Sequence, residues 1–193
     1  MSILADWEIR ELCLPEYGLR EGQAPMLSPF DDGTKKLGRI SSGLSIYGYD
    51  IRLGTRFKVF TNIHGGVIDP KDCQPKHLFD MEGNYCDIPP NAYILGESVE
   101  RFCMPFDVMA LVVGKSTYAR VGVLVNVTPV EGGWSGILTI EIANLSPLPV
   151  RTYANEGIAQ CVFFRGRMPL KNYLAHSGTY QDQTGLTLAK VAQ

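Results

Sequence analysis

The residues best suited to chemistry lie between Gly114 and Gln160. Glu141 stands within the run ILTIEIAN, Ile137 to Asn144. Read as a strand, that run puts Leu138, Ile140 and Ile142 on one face and Ile137, Thr139, Glu141 and Ala143 on the other. The first face is wholly apolar and belongs in a core. If the second face is also covered, Glu141 is a partly buried carboxylate. Burial disfavours its charged form and raises its pKa toward general acid or base use. The competing arrangement leaves Glu141 in water, where charged strand residues usually point.

Two other groups accompany it. The run Gly114-Lys115-Ser116-Thr117-Tyr118-Ala119-Arg120 follows an apolar stretch ending at Val113. Small hydroxyl residues after a glycine suit the first turn of a helix, whose free N–H groups attract anions, and Lys115 and Arg120 add positive charge. The same residues also make an ordinary capped turn with solvated cations. Gln160 shares a strand face with Ile158, Val162 and Phe164. A buried amide needs partners, and its donor and acceptor fit either the edge of a base or nearby backbone.

The metal-ligating residues are scattered. Cys13, Cys73, Cys86, Cys103 and Cys161 are widely and irregularly spaced, and His64, His77 and His176 form no paired spacing. An odd number of such cysteines reads as reduced thiols rather than a disulfide frame. The net charge of −2 gives no basic excess for nucleic acid, although a few local cations suffice for a small polyanion. No apolar run reaches membrane-span length and no charged-then-apolar leader opens the chain, so the cytoplasm is the expected compartment.

The chain's 193 residues suffice for one domain with a real core. Leu4, Trp7, Ile9 and Leu12 predict an amphipathic helix over 2–13, with Ser2 as its cap. Residues 15–45 read as loops. Tyr47, Tyr49, Ile51 and Leu53 then alternate with Gly48, Asp50, Arg52 and Gly54, a strand period. Short β-like runs follow at 57–61, 92–97, 108–113, 121–127, 137–143 and 157–164, separated by Gly, Pro and Asn. Many short strands with little helix predict an all-β barrel or sandwich. The segment from Ser177 to Gln193 is polar and reads as a mobile tail.

Taken together, these residues resemble the dCTP deaminase family from about Ser45 to the C-terminus. The anchors are SIYGYDIRL (Ser45 to Leu53), Thr61-Asn62 with Ile68-Asp69-Pro70, Ile88-Pro89-Pro90, the Gly114–Arg120 run and VNVTP (Val125 to Pro129). Further along come Gly133-Trp134, Thr139-Ile140-Glu141, YANEGIAQ (Tyr153 to Gln160) and YQDQTG (Tyr180 to Gly185). The resemblance implies an all-β-dominated fold: a distorted, dUTPase-like β-barrel (β-clip) with an N-terminal helix and short helical turns. It also implies a homotrimer with active sites at subunit interfaces.

The implied reaction is zinc-independent hydrolysis of dCTP to dUTP and ammonia. Glu141 matches the family's catalytic glutamate, with Ser116 and Arg120 close to the reacting centre. The implied substrate-binding set is Lys115, Ser116, Thr117, Tyr118, Ala119 and Arg120 on the turn, with Thr139, Ile140, Glu141, Gln160, Tyr173 and Gln183 elsewhere. No residue is implied as a metal ligand; magnesium arrives with the triphosphate. That agrees with the residues themselves, because the H-x-E and P-C-x-x-C ligand sets of zinc deaminases do not occur. Residues 177–193 are implied to close over bound nucleotide as a lid.

Two positions depart from the family pattern. The turn Glu131-Gly132-Gly133 lacks the Ile-Asp pair of dUTPases and bifunctional deaminases, which argues against a second, diphosphate-releasing activity. Thr179 stands where a lysine is usual, which implies a weaker preference for triphosphate. A dUTP-type diphosphohydrolase and a non-catalytic nucleotide binder on the same scaffold are the rival readings. Retention of Glu141 beside the complete Lys115–Arg120 turn argues against the binder, which has no need of a general base.

Overall fold

The computed structural model describes residues 2–61 and 65–191. Asn62 and His64, and the last two residues of the tail, lie outside them. Among the described residues twelve strands and two short α-helices are formed: β1 (Ser2–Ile3), α1 (Asp6–Glu11), β2 (Leu27–Ser28), β3 (Gly43–Ser45), β4 (Gly48–Phe60), β5 (Leu78–Glu82), β6 (Tyr85–Ile88), β7 (Tyr93–Cys103), β8 (Val108–Gly114), α2 (Ser116–Ala119), β9 (Val123–Val125), β10 (Ser135–Asn144), β11 (Val150–Tyr153) and β12 (Gly157–Arg165).

Ten strands make one sheet in the order β1-β12-β4-β7-β10-β9, with β2 on β7, β3 and β5 on β4, and β8 on β12. The remaining pair is β6 with β11. All the paired strands are antiparallel. The sheet curls into a half-barrel around its apolar face, so the expected β-dominated fold is the one observed.

The alternation read in the sequence is what closes this core. Tyr49, Ile51 and Leu53 of β4 and Ile140 and Ile142 of β10 are fully buried, as that alternation places them. On β12 the register shift beside Gly157 puts Ala159, Cys161 and Phe163 in the core instead, and leaves Gln160, Val162 and Phe164 only half-buried. The runs expected at 47–53 and 57–61 are one strand, β4. Its pairing with β7 shifts register between Leu53 and Phe57, where Gly54 lets the backbone pass closely over Glu97. One charged pair crosses the core: Glu100, fully buried, accepts from the Arg52 guanidinium at 2.6 Å and from the Arg52 N–H at 2.9 Å. With both carboxylate oxygens engaged, the pair ties β4 to β7 without an uncompensated charge.

The N-terminus corrects the sequence reading. Ser2 caps no helix; it pairs with Arg165 as part of β1. The helix begins only at Asp6, where the Ala5 N–H donates to the Glu8 carboxylate at 3.0 Å. Leu4 and Ile9 are buried whereas Trp7 is exposed, so the apolar stripe is narrower than the four residues suggested. The loop region 15–45 carries the short strands β2 and β3. Strands β5, β6 and β11 had no counterpart in the expected runs.

Candidate active site

Strand β10 carries the site because its two faces have different neighbours. Leu138, Ile140 and Ile142 point into the core. Thr139 and Glu141 point the other way, and cross-strand pairing with β7 sets Thr139 opposite Glu97 and Glu141 opposite Leu95. That second face is covered. It forms one wall of a cavity of about 440 Å³, lined on its apolar side by Phe60, Ile68, Tyr93, Leu95, Val127 and Trp134. Thr139, Glu141, Tyr173, Tyr180 and Gln183 supply polar groups.

Glu141 is therefore the partly buried carboxylate that its position allowed. Burial pushes its pKa up to about 7, against a small opposing pull from a backbone hydrogen bond. Its Oε2 is buried with no hydrogen-bond partner among the described residues. A buried carboxylate oxygen without a partner is costly, and it suits an incoming donor such as water or an amino group. Tyr93 is held up at about 12, first by burial and then by the charge of Glu141. The phenol thus stays neutral across the working range.

The tail builds the outer wall. The Trp134 indole donates to the Tyr180 carbonyl at 2.8 Å, and the Tyr180 N–H donates to the Tyr173 hydroxyl at 3.1 Å. Gln183 lies along the start of β10: the Ile137 N–H donates to its carbonyl at 2.8 Å, and its side-chain amide donates to the Ile137 carbonyl at 2.5 Å. The same amide reaches the Thr139 hydroxyl at 3.3 Å. In this arrangement Gln183 is anchored to β10, with its donors spent on that strand.

The Lys115–Arg120 turn stands elsewhere. It forms the one-turn helix α2, with Lys115 at its N-cap. The Tyr118 ring is buried, and its hydroxyl accepts from the Tyr153 N–H at 3.0 Å. Ser116, Thr117, Ala119 and Arg120 are exposed, and the Arg120 guanidinium donates to the Ser116 carbonyl at 3.0 Å. Lys115 is paired with Asp50 of β4. Gln160 lies on β12 between Asp50 and Val113 and is half-buried.

One chain thus gathers Thr139, Glu141, Tyr173 and Gln183 around the cavity, while the turn and Gln160 are not among its lining residues. The side chain of Ile140 is in the core, which leaves only its backbone for a ligand. Tyr93 was missed by sequence reasoning. It is far from Glu141 in the chain and comes near only because β7 pairs with β10, so no local pattern could have found it. Among the described residues no group of three or more His, Cys, Asp or Glu could hold a metal ion.

A half-buried carboxylate pushed up to about 7 by burial, in a largely apolar cavity rimmed by hydroxyls and an amide, has the chemistry that general acid–base catalysis requires, here on an all-β scaffold. The family is equally specific. A family model described as dCTP deaminase-like matches residues 19–166, and the chain belongs to that family. It is 48% identical over 192 residues to a dCTP deaminase of Herpetosiphon aurantiacus, covering 99% of this chain and all of the relative. It is 52% identical over 167 residues to a dCTP deaminase of Campylobacter fetus, covering 86% and 90% of the two chains.

The solved 2'-deoxycytidine 5'-triphosphate deaminase of Agrobacterium tumefaciens superposes with a TM-score of 0.60 at 17% identity, over 85% of this chain. The present chain spans 48% of that structure's length, and the likeness is one of fold.

Proposed function

We propose that this protein hydrolyses dCTP to dUTP and ammonia. The observation that carries the reading is Glu141: a carboxylate raised to about 7 by burial, with one buried oxygen unpartnered, facing a cavity in a member of the dCTP deaminase-like family. Water attacks the ring carbon that bears the amino group, and the carbon–nitrogen bond breaks. Ionised Glu141 takes one proton from that water and passes it to the ring nitrogen. The added hydroxyl then gives its proton, through the same carboxylate, to the amino group, so that ammonia leaves and the oxygen stays as the carbonyl. Thr139 and the neutral Tyr93 sit beside it, and the apolar wall keeps bulk water from competing.

We further infer that Lys115, Ser116, Thr117 and Arg120 reach this cavity from a second copy of the chain. Ser116, Thr117, Ala119 and Arg120 of the turn are exposed, and the turn lies outside the cavity of its own chain. Leu111, Val113, Val121 and Leu124, before and after the turn, are exposed apolar side chains that suit burial against another subunit. A homotrimer with shared sites satisfies both observations. From the neighbour, Ser116 and Arg120 would steady the charge developing on the base, and Lys115, once released from Asp50, would hold phosphates with the Thr117 hydroxyl.

Magnesium fits as a phosphate-borne ion. The described residues offer no three-ligand acidic cluster, and Asp50, the carboxylate next to the turn, is engaged by Lys115. When bound, the ion neutralises triphosphate charge and helps present it to the turn. A deaminase without diphosphatase activity is the favoured reading, since the turn Glu131-Gly132-Gly133 lacks the Ile-Asp pair of dUTPases and bifunctional deaminases. The cytoplasm remains the inferred compartment. No helix among the described residues is long and apolar enough to cross a membrane, and all five cysteines are unpaired.

The direct test is incubation of purified protein with dCTP and magnesium, with separation of dUTP, dUMP, pyrophosphate and ammonia. The expected products are dUTP and ammonia in equal amounts. A metal chelator should raise KM for dCTP, with activity restored by magnesium alone; a requirement for zinc contradicts the reading. Appearance of dUMP with pyrophosphate would favour the bifunctional alternative. A second expected outcome concerns Thr179. Thr179→Lys should tighten dCTP by about tenfold and leave dCMP nearly unchanged, because one charge-assisted phosphate contact is worth about 1.5–3 kcal/mol at best. Equal effects on both nucleotides, measured by titration calorimetry, would remove Thr179 from phosphate recognition.

A further inference from the structure

Outside the reacting centre, the most specific constellation in the fold joins strand β4, strand β7 and the tail. Arg56 of β4 donates two parallel hydrogen bonds to Glu97 of β7, at 2.6 and 2.7 Å. The carboxylate is nearly buried, whereas the guanidinium remains half exposed. The same carboxylate also accepts from the tail: the Leu186 N–H lies 3.3 Å from Glu97 Oε2. The next amide, Thr187 N–H, donates to the Thr139 hydroxyl at 3.2 Å. Glu97 and Thr139 are cross-strand partners on β7 and β10. Two consecutive tail amides therefore dock on two neighbouring side chains of one sheet face.

The glycines on either side of Glu97 show how closely this is fitted. A methyl at Gly54 would sit 2.8 Å from the Glu97 side chain, and one at Gly185 would sit 2.7 Å from Arg56 Nη2 and 3.0 Å from Glu97 Oε2. Glu97 thus lies flat between two backbones that lack a Cβ where they meet it. Arg56 holds the carboxylate in the one orientation that leaves Oε2 facing the tail. With docking in place, Gln183, Thr187 and Ala189 line the Glu141 cavity.

We propose that the Arg56–Glu97 pair is a clamp that docks the tail over the Glu141 cavity before nucleotide arrives, which makes Arg56, Glu97 and Gly185 positioning residues for the reaction. None of the three is a catalytic residue. Their effect is to remove the ordering cost of the tail from nucleotide binding. Loss of the clamp leaves a tail that nucleotide must order for itself. The loss therefore appears in KM, while saturating nucleotide restores docking and kcat. This kinetic consequence rests on the deaminase reading; the docking itself does not.

The experiment uses the full-length protein and the variants Glu97→Gln and Gly185→Ala, with Arg151→Gln as a control that breaks an exposed ion pair elsewhere. Hydrogen–deuterium exchange without nucleotide should show the amides of 183–187 exchanging about tenfold faster in both clamp variants, with β10 still protected and the control unchanged. KM for dCTP should rise roughly tenfold, with kcat within about twofold of the parent. If Glu97→Gln also loosens β10, Gly185→Ala decides alone, since its change lies on the tail. Unaltered tail exchange overturns the clamp, and so does faster exchange with KM unchanged or a loss confined to kcat. A parent protein with no deaminase activity refutes the functional reading, and the exchange measurement then judges the clamp by itself.

Discussion

Replacing Glu141 with glutamine should lower dCTP deamination by about two orders of magnitude or more and leave the fold intact. Glutamine keeps the shape of the side chain and can still accept a hydrogen bond, but it cannot take a proton from water. Nucleotide affinity should change little, because the lost function is proton transfer rather than contact. The pH behaviour follows from the same group. Glu141 must be ionised to act as a base, so kcat/KM of the parent should rise with pH through about 7 and then level off.

Stability should move in the opposite direction. Burial raises Glu141 from the usual 4.5 to about 7, so between those values the folded chain holds a proton that the unfolded chain has released. That contribution is fully present below 4.5 and is lost as pH rises through about 7. The uncharged Glu141→Gln variant should therefore melt higher than the parent at about pH 8, with the gap narrowing toward acid. Near-normal turnover in the variant, or a parent rate that falls between pH 6 and 8, would remove Glu141 from the role of base.

The second large effect is expected from mixing two inactive proteins. Glu141→Gln spoils the cavity, and Arg120→Ala spoils the turn. If each site takes Glu141 from one subunit and Arg120 from its neighbour, each variant alone is inactive at every site. After unfolding and joint refolding in equal amounts, about a quarter of the sites should combine a native Glu141 with a native Arg120, restoring roughly a quarter of the parent activity. Refolding each variant alone should restore none. Sites built within one chain predict no recovery from the mixture, so the outcome discriminates directly. Light scattering on the same samples should report a trimer.

Local pattern carried much of the fold. The alternation around Tyr49, Ile51 and Leu53, and again around Leu138, Ile140 and Ile142, fixed which side chains enter the core, because a strand's period of two is a property of its own backbone. The same reasoning could take Glu141 only to the face opposite the core. Whether that face was wet or covered depended on β7 and the tail, which are remote in sequence. Strands β6 and β11 escaped notice because four-residue runs broken by polar residues carry almost no period.

The sequence by itself determined the β-dominated class, the core face of β10 and the candidate base, and the number and order of the motifs pointed to the family. Only the tertiary structure decided that the carboxylate is desolvated, that Tyr93 stands beside it, and that the Lys115–Arg120 turn lies outside the cavity of its own chain. It also decided that Gly54, Arg56, Glu97 and Gly185 meet at one point. The division has a physical cause. Periodicity and turn chemistry act over a few residues and leave a trace in each segment. Burial of a charge, pairing of an ion and docking of a tail are made by segments that meet only when the sheet curls, and no single segment carries the signal.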